Sequence, residues 1–378
     1  MKEEQKKFNI YVFLSTFARS LIEVFIPVLL YKYGYTLKEV IIYFVIYNFI
    51  QLVIAYPITK IAIKLSNKIV AIIGFISFIS VQIIVNNMSK SYVYIMILAI
   101  FYAFYRTGYW ISRRYYNIKI LPKEHVSVSY SIVSILNQLA VLFSGYIGAV
   151  FLDFDNTKIV TITAIVIYVI SFIPLYLMND GKNKDGKNKQ KEVKLNICET
   201  LMKIGKRKIY LFGTYEILNV LKIMFSLYVY IYVKNTFKTV GFLNLVTNLS
   251  IMIFAYTFAK KIDKKNNYLC FVINAFVVTF ILKANITSVW IILICFLEGM
   301  VIKAYEISIN KEVYETSKKI ESNNYNLAYE VIGKTTRAII LILCLLLSKN
   351  MKLMIYAILF FILIGALLEK DKEKNIKM

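Results

Sequence analysis

The sequence predicts an all-α membrane protein: twelve transmembrane helices in two bundles of six, with both termini cytoplasmic. Three observations support this. Of the 378 residues 59% are apolar and only 18% are charged, with a mean hydropathy of +0.62, which is far more apolar than an ordinary soluble domain. Charged residues cluster between apolar runs of about 20 residues, the length at which a helix crosses the hydrocarbon core. A single long polar segment divides the chain into two parts with equal numbers of apolar runs.

The apolar runs set the predicted spans in order along the chain. In the first half they cover residues 8–33, 38–60, 68–87, 91–112, 126–152 and 158–178. In the second half they cover residues 208–233, 239–260, 267–283, 287–309, 321–348 and 351–368. The first run lacks a small-residue cleavage site, so it is interpreted as a span rather than a removable signal.

The domains follow from the spans: an N-terminal bundle over 1–178, a basic cytoplasmic linker over 179–207, and a C-terminal bundle with a basic tail over 208–378. The linker opens with a tandem Asp-Gly-Lys-Asn-Lys repeat, which predicts a solvated segment. The stretch after the repeat has the pattern of a basic amphipathic helix lying on the inner headgroups.

The positions of the basic residues predict the orientation in the membrane. The chain has 46 Lys and Arg against 22 Asp and Glu, a net charge of +24. With a cytoplasmic N-terminus, most of these cations fall in inner loops and tails, as the positive-inside rule requires. We therefore expect the excess charge to attract anionic lipids at the cytoplasmic face, and we expect no nucleic acid partner.

Composition also argues against enzymes. The connections are too short for a soluble catalytic domain, and a single His excludes a His-Glu-x-x-His metal motif. The four cysteines are scattered and show no zinc or disulfide spacing. We expect no catalytic residues, no metal and no cofactor, and a monomeric protein.

Several local stretches resemble one known family. Residues 33–40 form a short polar turn into the second span, and residues 121–131 form a basic entry to the fifth. With the two sets of six spans and the basic central loop, the chain resembles the major facilitator superfamily of secondary transporters over essentially its whole length. The resemblance implies two bundles that rock around a site near the bilayer midplane.

The sharper family signatures are degraded. In the loop between spans 2 and 3, residues 60–68 keep the basic residues of the family pattern but lack its glycines and its Asp. The corresponding loop between spans 8 and 9 keeps an Asp-Lys pair, so Asp263 is the better candidate for a latch on the inner face. Residues 144–148 lack the proline that completes the antiporter signature.

Charged side chains within the spans are the candidate functional residues, because each costs on the order of 2.5–3.5 kcal/mol at the bilayer centre. The resemblance implies that spans 1, 4, 7 and 10 line a central cavity, and most of these charges fall on them. The candidates for substrate binding or coupling are Arg19, Glu23, Arg106, Gln138, Glu216, Lys222 and Glu298. The candidates for an inner gate are Asp263, Lys303, Glu306, Glu330, Lys334 and Arg337.

Spacing suggests individual roles. Arg19 and Glu23 are i,i+4 neighbours that can pair along one helix face, either only to neutralise each other or to take part in binding or coupling. Glu298 has no basic residue at i±4, so it is the first candidate for proton coupling, unless a cation such as Arg19, Arg106 or Lys222 pairs with it from another helix.

The remaining candidates also allow both a structural and a functional interpretation. Arg106 precedes Gly-Tyr-Trp, a setting that suits an anionic ligand, a cation–π contact or a structural pair equally. Glu330 and Lys334 form a second i,i+4 pair, for which a gating salt bridge is favoured. Gln138 is the uncharged side chain proposed as a ligand contact.

The sequence thus predicts a secondary transporter in the cytoplasmic membrane that moves a small organic solute by alternating access, with proton coupling and direction open. The mixed charges favour a zwitterionic or anionic solute over a simple cation. A lipid or glycolipid flippase of the same fold is the alternative, and a polytopic membrane enzyme is the less favoured one.

Overall fold

The structure is a computed structural model that describes residues 2–120, 126–178, 195–262, 269–285, 290–317, 320 and 322–377. Its elements are helices. The first half contains α1 (Lys2–Ser20), a 3-10 turn (Glu23–Phe25), α2 (Ile26–Lys32), α3 (Leu37–Lys64), α4 (Asn67–Asn86), α5 (Tyr92–Ile120), α6 (Val126–Asp153) and α7 (Thr157–Tyr176). The second half contains α8 (Ile197–Ile204), α9 (Lys206–Tyr228), a π-helical turn (Val229–Val233), α10 (Phe237–Ile262), α11 (Leu269–Asn285), α12 (Trp290–Ser317), α13 (Ser322–Leu346) and α14 (Met351–Lys377).

The all-α fold is confirmed, and each predicted span coincides with a helix or, for the first span, with α1 and α2 together. Within the described ranges, eight helices are long and apolar enough to cross a membrane. Two shorter apolar helices, Val272–Asn285 and Met351–Ile364, add to these. The count of twelve spans and the orientation of the termini stay predictions.

Local sequence explains where the helices begin. Thr36 and Glu39 form a reciprocal capping box at the start of α3, with the Glu39 backbone N–H 3.3 Å from the Thr36 hydroxyl. Ser66 caps α4 through a 3.2 Å contact from the Ile69 N–H. Asn196 caps the short amphipathic helix α8 in the same way. These caps let the chain reverse in a few residues, so successive helices run antiparallel.

Two ends of the bundle can be told apart by their contacts. At the end that carries α8, which we call the linker face, Lys68 at the start of α4 donates to the Tyr176 carbonyl at the end of α7 (2.8 Å). At the other end, the opposite face, Lys32 at the end of α2 pairs with Asp155 at 2.5 Å. The linker face corresponds to the predicted cytoplasmic side.

Packing defines two halves and the interface between them. Within the first half α1 packs on α6 and α7, and α4 packs on α5; within the second half α10 packs on α12 and α11 packs on α14. The halves meet where α13 lies along α3 and α10 lies along α6. Large apolar side chains such as Phe49, Ile76 and Ile173 are exposed on the outside, as expected for a surface solvated by lipid.

Candidate functional site

The first spanning segment is broken at Glu23. Pro27 has no backbone N–H, so it cannot donate the helical hydrogen bond back to the Glu23 carbonyl. The chain forms a 3-10 turn over Glu23–Phe25 and resumes as α2 with this proline in its first turn. The break places the Glu23 carboxylate in the interior of the first half.

Two cations share that carboxylate, in what we call the Glu23 cluster: Arg19, Glu23, Tyr102 and Arg106. The Nε of Arg19 lies 3.2 Å from Glu23, which confirms the predicted i,i+4 pair. Arg106 of α5 donates to the other carboxylate oxygen, and the Tyr102 hydroxyl donates to the same oxygen at 2.7 Å. Because the side chains of Arg19 and Glu23 are only 7% and 15% exposed, these interactions are poorly screened by water.

Aromatic rings surround the two guanidinium groups. Arg19 lies 4.8 Å from the Tyr109 ring centre and 5.3 Å from the Trp110 ring centre. Arg106 lies 5.5 Å from the Trp110 ring centre. The rings restrict the side-chain orientations of both arginines and add cation–π attraction. The aromatic setting predicted for Arg106 is therefore present, together with an ion pair.

A larger group, which we call the Glu330 cluster, is centred on the second half: Glu216, Glu330, Lys334 and Arg337, joined by Arg114 of the first half. Arg337 of α13 donates to Glu216 of α9, and Lys334 lies 3.4 Å from Glu330, the predicted i,i+4 pair. Gly333 makes the first contact possible, because a Cβ there would lie 2.8 Å from the Glu216 Cγ.

Arg114 joins this cluster from the other half. It lies on α5, and its guanidinium donates to Glu330 of α13 while it stacks 5.2 Å from the Tyr329 ring centre. Glu330 is 5% exposed and thus holds two cations, one from each half of the chain. This is an ionic contact across the interface between the halves, near the linker face.

The two clusters interact with each other. Arg106 lies within electrostatic range of Lys334 and of Arg337. Tyr47 of α3, which is buried, lies within range of both Arg106 and Arg337, and its ring centre is 5.0 Å from that of Tyr102. The charged groups of the two halves therefore converge on one buried region.

Glu298 is paired with a cation of another helix. The side chain is buried as expected, but it accepts a hydrogen bond from Lys283 of α11. Of the two alternatives left open by the sequence, the structure has the one in which a cation of another helix pairs with Glu298, and that cation is Lys283 rather than Arg19, Arg106 or Lys222. Lys283 was not among the predicted site residues because it lies near the end of α11, where a lysine side chain usually extends to the lipid headgroups.

The remaining candidates are spread around these groups. Lys303 of α12 donates to Ser134 of α6 at 2.9 Å and lies 3.6 Å from Glu306, so it also links the halves. Gln138 of α6 has a buried side-chain oxygen with no hydrogen-bond partner among the described atoms. Lys222 is exposed, so the structure places it apart from the buried clusters. Asp263 lies outside the described residues.

Sequence reasoning missed Arg114 for a traceable reason. The fourth span was predicted to end at residue 112, whereas α5 continues to Ile120. Arg114 was therefore assigned to a loop instead of the helix. The signal that could have found it is the helical spacing from Arg106 through Trp110 to Arg114, which places all three on one face of α5.

No group of three or more His, Cys, Asp or Glu side chains that could hold a metal ion occurs among the described residues. Arginine, lysine and glutamate dominate the buried region instead. Such a set can bind a charged organic group, and it can exchange ion-pair partners when the halves move.

Comparisons with known proteins agree with this architecture. The sequence model of the Major Facilitator Superfamily matches residues 8–329. No curated protein sequence matches the chain significantly. Among solved structures, the chain is similar to a mutant of the nucleoside transporter NupG, with a TM-score of 0.73, 9% identity, and coverage of 97% of this chain and 99% of that one.

A second similar structure is a bacterial homologue of the iron transporter ferroportin in its outward-facing state. The TM-score is 0.70 at 13% identity, with 98% of this chain and 99% of that chain covered. The same homologue with soaked iron gives a TM-score of 0.66 at 11% identity, with coverage of 97% and 98%. At these identities the similarity establishes the fold, and the iron and the nucleoside belong to those proteins.

Proposed function

Since the chain belongs to the Major Facilitator Superfamily, a family of multi-pass membrane transporters, we propose that it moves a small organic solute by alternating access and is driven by a proton gradient. The protein is a transporter and not an enzyme. The solute, the driving ion and the way the halves move are the parts we propose here.

The observation that carries the proposal is the convergence of buried charges from both halves. Arg106 and Glu23 come from the first half, and Lys334 and Arg337 come from the second. Charges are expensive inside a membrane protein and are usually retained for substrate or ion pathways. A site shared between two rocking halves is where alternating access requires them.

Contacts at the two faces support the rocking motion. Near the linker face the halves are joined by Arg114 with Glu330 and by Lys303 with Ser134. At the opposite face the carboxylate of Asp153 on α6 accepts the backbone N–H groups of Phe237 and Lys238 at the start of α10, at 2.7 and 2.9 Å. Each face can therefore open when only its own contacts break, while the contacts at the other face stay intact.

Glu298 remains the proposed coupling residue, with a changed mechanism. Its carboxylate is buried against Lys283, so taking up a proton would remove the negative charge and leave the lysine unpaired. Such a change favours a conformation in which Lys283 reaches water. Proton uptake and conformational change would then be linked through this pair.

For orientation we propose a cytoplasmic membrane with both termini in the cytoplasm, on the basis of the basic inner loops. The short helix α8 packs on α9 and α13 at the linker face, where its exposed Met202 and its one lysine, Lys203, suit an anionic headgroup layer. We propose that the transporter works as a monomer, because each chain holds both halves of the site.

A flippase would need its charged groups at a lateral opening towards lipid. Arg19, Lys334 and Arg337 are buried between helices, with side chains no more than 8% exposed. No observation therefore favours the flippase over a transporter of small solutes.

Reconstitution tests the proposal. Purified protein in liposomes is offered a panel of labelled organic solutes, with and without an imposed pH gradient. We expect at least one solute to accumulate, and accumulation to depend on the gradient. Absence of movement for every solute, in protein that remains folded by size-exclusion chromatography, would contradict the proposed transport.

A further inference from the structure

The buried clusters carry an excess of positive charge. Among the described residues, five cations belong to the Glu23 and Glu330 clusters: Arg19, Arg106, Arg114, Lys334 and Arg337. Three carboxylates face them: Glu23, Glu216 and Glu330. Five cations against three carboxylates leave a formal charge of +2 within this region.

An unbalanced charge in a poorly hydrated region is costly, and the cost falls when an anion enters. The cations also keep unused hydrogen-bond donors. The Nε atoms of Arg106 and Arg337 and one terminal nitrogen of Arg114 are buried and have no hydrogen-bond partner among the described atoms. These are strong donors, so each represents binding capacity for an oxyanion.

Two of these arginines come from different halves, and α3, which carries Tyr47 5.0 Å from the Tyr102 ring centre, packs against the helix that carries Arg337. Arg106 is on α5 of the first half and Arg337 is on α13 of the second, and Tyr47 lies within electrostatic range of both. A planar guanidinium binds a carboxylate or phosphate through two parallel hydrogen bonds, which an ammonium group cannot do. One oxyanion between the two arginines would contact both halves at once.

The carboxylates of the protein occupy the same arginines in the structure. Glu23 accepts from Arg106, and Glu216 accepts from Arg337. An incoming oxyanion would therefore compete with, or add to, an internal carboxylate on each side. Removing such a carboxylate frees an arginine and should strengthen anion binding. If the ion pair is only structural, removing the carboxylate should instead weaken binding or destabilise the fold.

We propose that the solute is an organic anion whose carboxylate or phosphate group is bound between Arg106 and Arg337. This inference rests on the proposed transport function and specifies its substrate class. It separates the chain from carriers of metal cations or neutral nucleosides. Lys334 contributes positive charge beside the same position, and Tyr47 contributes a hydroxyl.

Binding to the purified full-length protein tests the proposal directly. Isothermal titration uses succinate, benzoate and citrate as carboxylates, glycerol 3-phosphate as a phosphate, uridine as a neutral solute and choline as a cation. We expect saturable binding within the carboxylate set or to the phosphate, and none for uridine or choline. Saturable binding of uridine or choline with no binding of any anion would overturn the proposal, as would absence of binding by all six.

Variants then locate the binding group. Arg106→Gln and Arg337→Gln should each weaken binding of the best anion at least about tenfold, because each removes a charge-assisted hydrogen bond to the anion. Arg106→Lys keeps the charge but loses the paired donors, so it should weaken binding by less than Arg106→Gln does. Glu23→Gln should strengthen binding. Lys158→Gln, an exposed change of the same charge at the opposite face, is the matched control.

The pattern of outcomes separates the possible failures. Weakened binding in Glu23→Gln as well as in Arg106→Gln would mean that the cluster is only structural, and would overturn the inference. Movement of uridine or choline in liposomes without movement of any anion would overturn the inference but leave the transport function intact. Movement of none of the solutes in liposomes would overturn both. A preference for glycerol 3-phosphate over the carboxylates, or the reverse, identifies the oxyanion.

Discussion

Replacement of Glu330 by Gln is predicted to open the linker face. Glu330 bridges Arg114 of the first half and Lys334 of its own helix, so the variant leaves two cations close together with no carboxylate between them. Breaking a buried ion pair from one side costs about 3–5 kcal/mol. Because the Arg114 side chain is 23% exposed, water partly solvates the unpaired guanidinium, and we expect the destabilisation to be about 2 kcal/mol. That cost falls on the closed arrangement of this face and shifts the equilibrium about thirtyfold towards the open one.

Pulsed dipolar spectroscopy measures this equilibrium. Spin labels are attached through Lys64→Cys on α3 and Met202→Cys on α8, both exposed positions near the linker face, after the four native cysteines are changed to Ser. The Glu330→Gln protein in nanodiscs should show a larger population of long distances than the parent. The double variant Arg114→Gln with Glu330→Gln should return towards the parent, because the repulsion between Arg114 and Lys334 across the interface is then removed.

The matched control is Asp155→Asn. This change also removes one carboxylate from an ion pair, but Asp155 is 81% exposed and its partner Lys32 belongs to the same half. Its distance distribution should equal that of the parent. If Glu330→Gln leaves the distances unchanged, or if Asp155→Asn shifts them as much, then the interaction with Arg114 does not hold the linker face closed.

Three further predictions concern other parts of the molecule. Gly148→Ala places a Cβ against the Leu21 backbone carbonyl, just after α1, and should lower the midpoint of thermal unfolding. Gly145→Ala, whose Cβ would have nothing within 4 Å, should not lower it, and equal midpoints for the two variants would contradict the packing. Asp153→Ala removes two hydrogen bonds from the start of α10 and should favour an open opposite face by about 1 kcal/mol. Spin labels moved to exposed positions of the opposite face should then show longer distances, and an unchanged distribution would refute this. Glu298→Gln should abolish pH-driven movement while exchange persists, and driven movement at the parent rate would remove Glu298 from the coupling step. Lys283→Gln should alter the pH dependence as well if the pair acts as a unit.

The helices and the local pairs could be predicted from the sequence because they depend on neighbours along the chain. Hydropathy fixes where α3 or α10 begins and ends to within a few residues, and i,i+4 spacing was enough for Arg19 with Glu23. Both rest on periodicities of a single helix. The same reasoning predicted an inner position for Glu330, and the structure adds the partner on the other half.

The contacts between helices could not be predicted, since a sequence does not reveal which faces meet. Lys283 and Glu298 belong to neighbouring helices, but no repeating pattern links them. Arg337 was grouped with Glu330 by sequence proximity, whereas it turns to Glu216 on α9. The close approach of α9 and α13 at this point requires Gly333, because a Cβ there would lie 2.8 Å from the Glu216 Cγ. A requirement of this kind follows from the contact between two helices and cannot be recognised in the sequence alone.

The two faces of the interface are held by different kinds of contact, and this has a consequence for how the halves can be moved. Near the linker face the contacts are between side chains whose strength depends on charge, as in Arg114 with Glu330. The opposite face combines the Asp153 contact to backbone N–H groups with ring packing of Phe25 against Phe237 at 5.8 Å. An anion bound between Arg106 and Arg337 changes the charge balance beside the first set and leaves the second set untouched. Substrate binding should therefore act mainly on the linker face. The contacts there are ion pairs, so adding one negative charge nearby changes their strength, whereas the contacts at the opposite face do not depend on it.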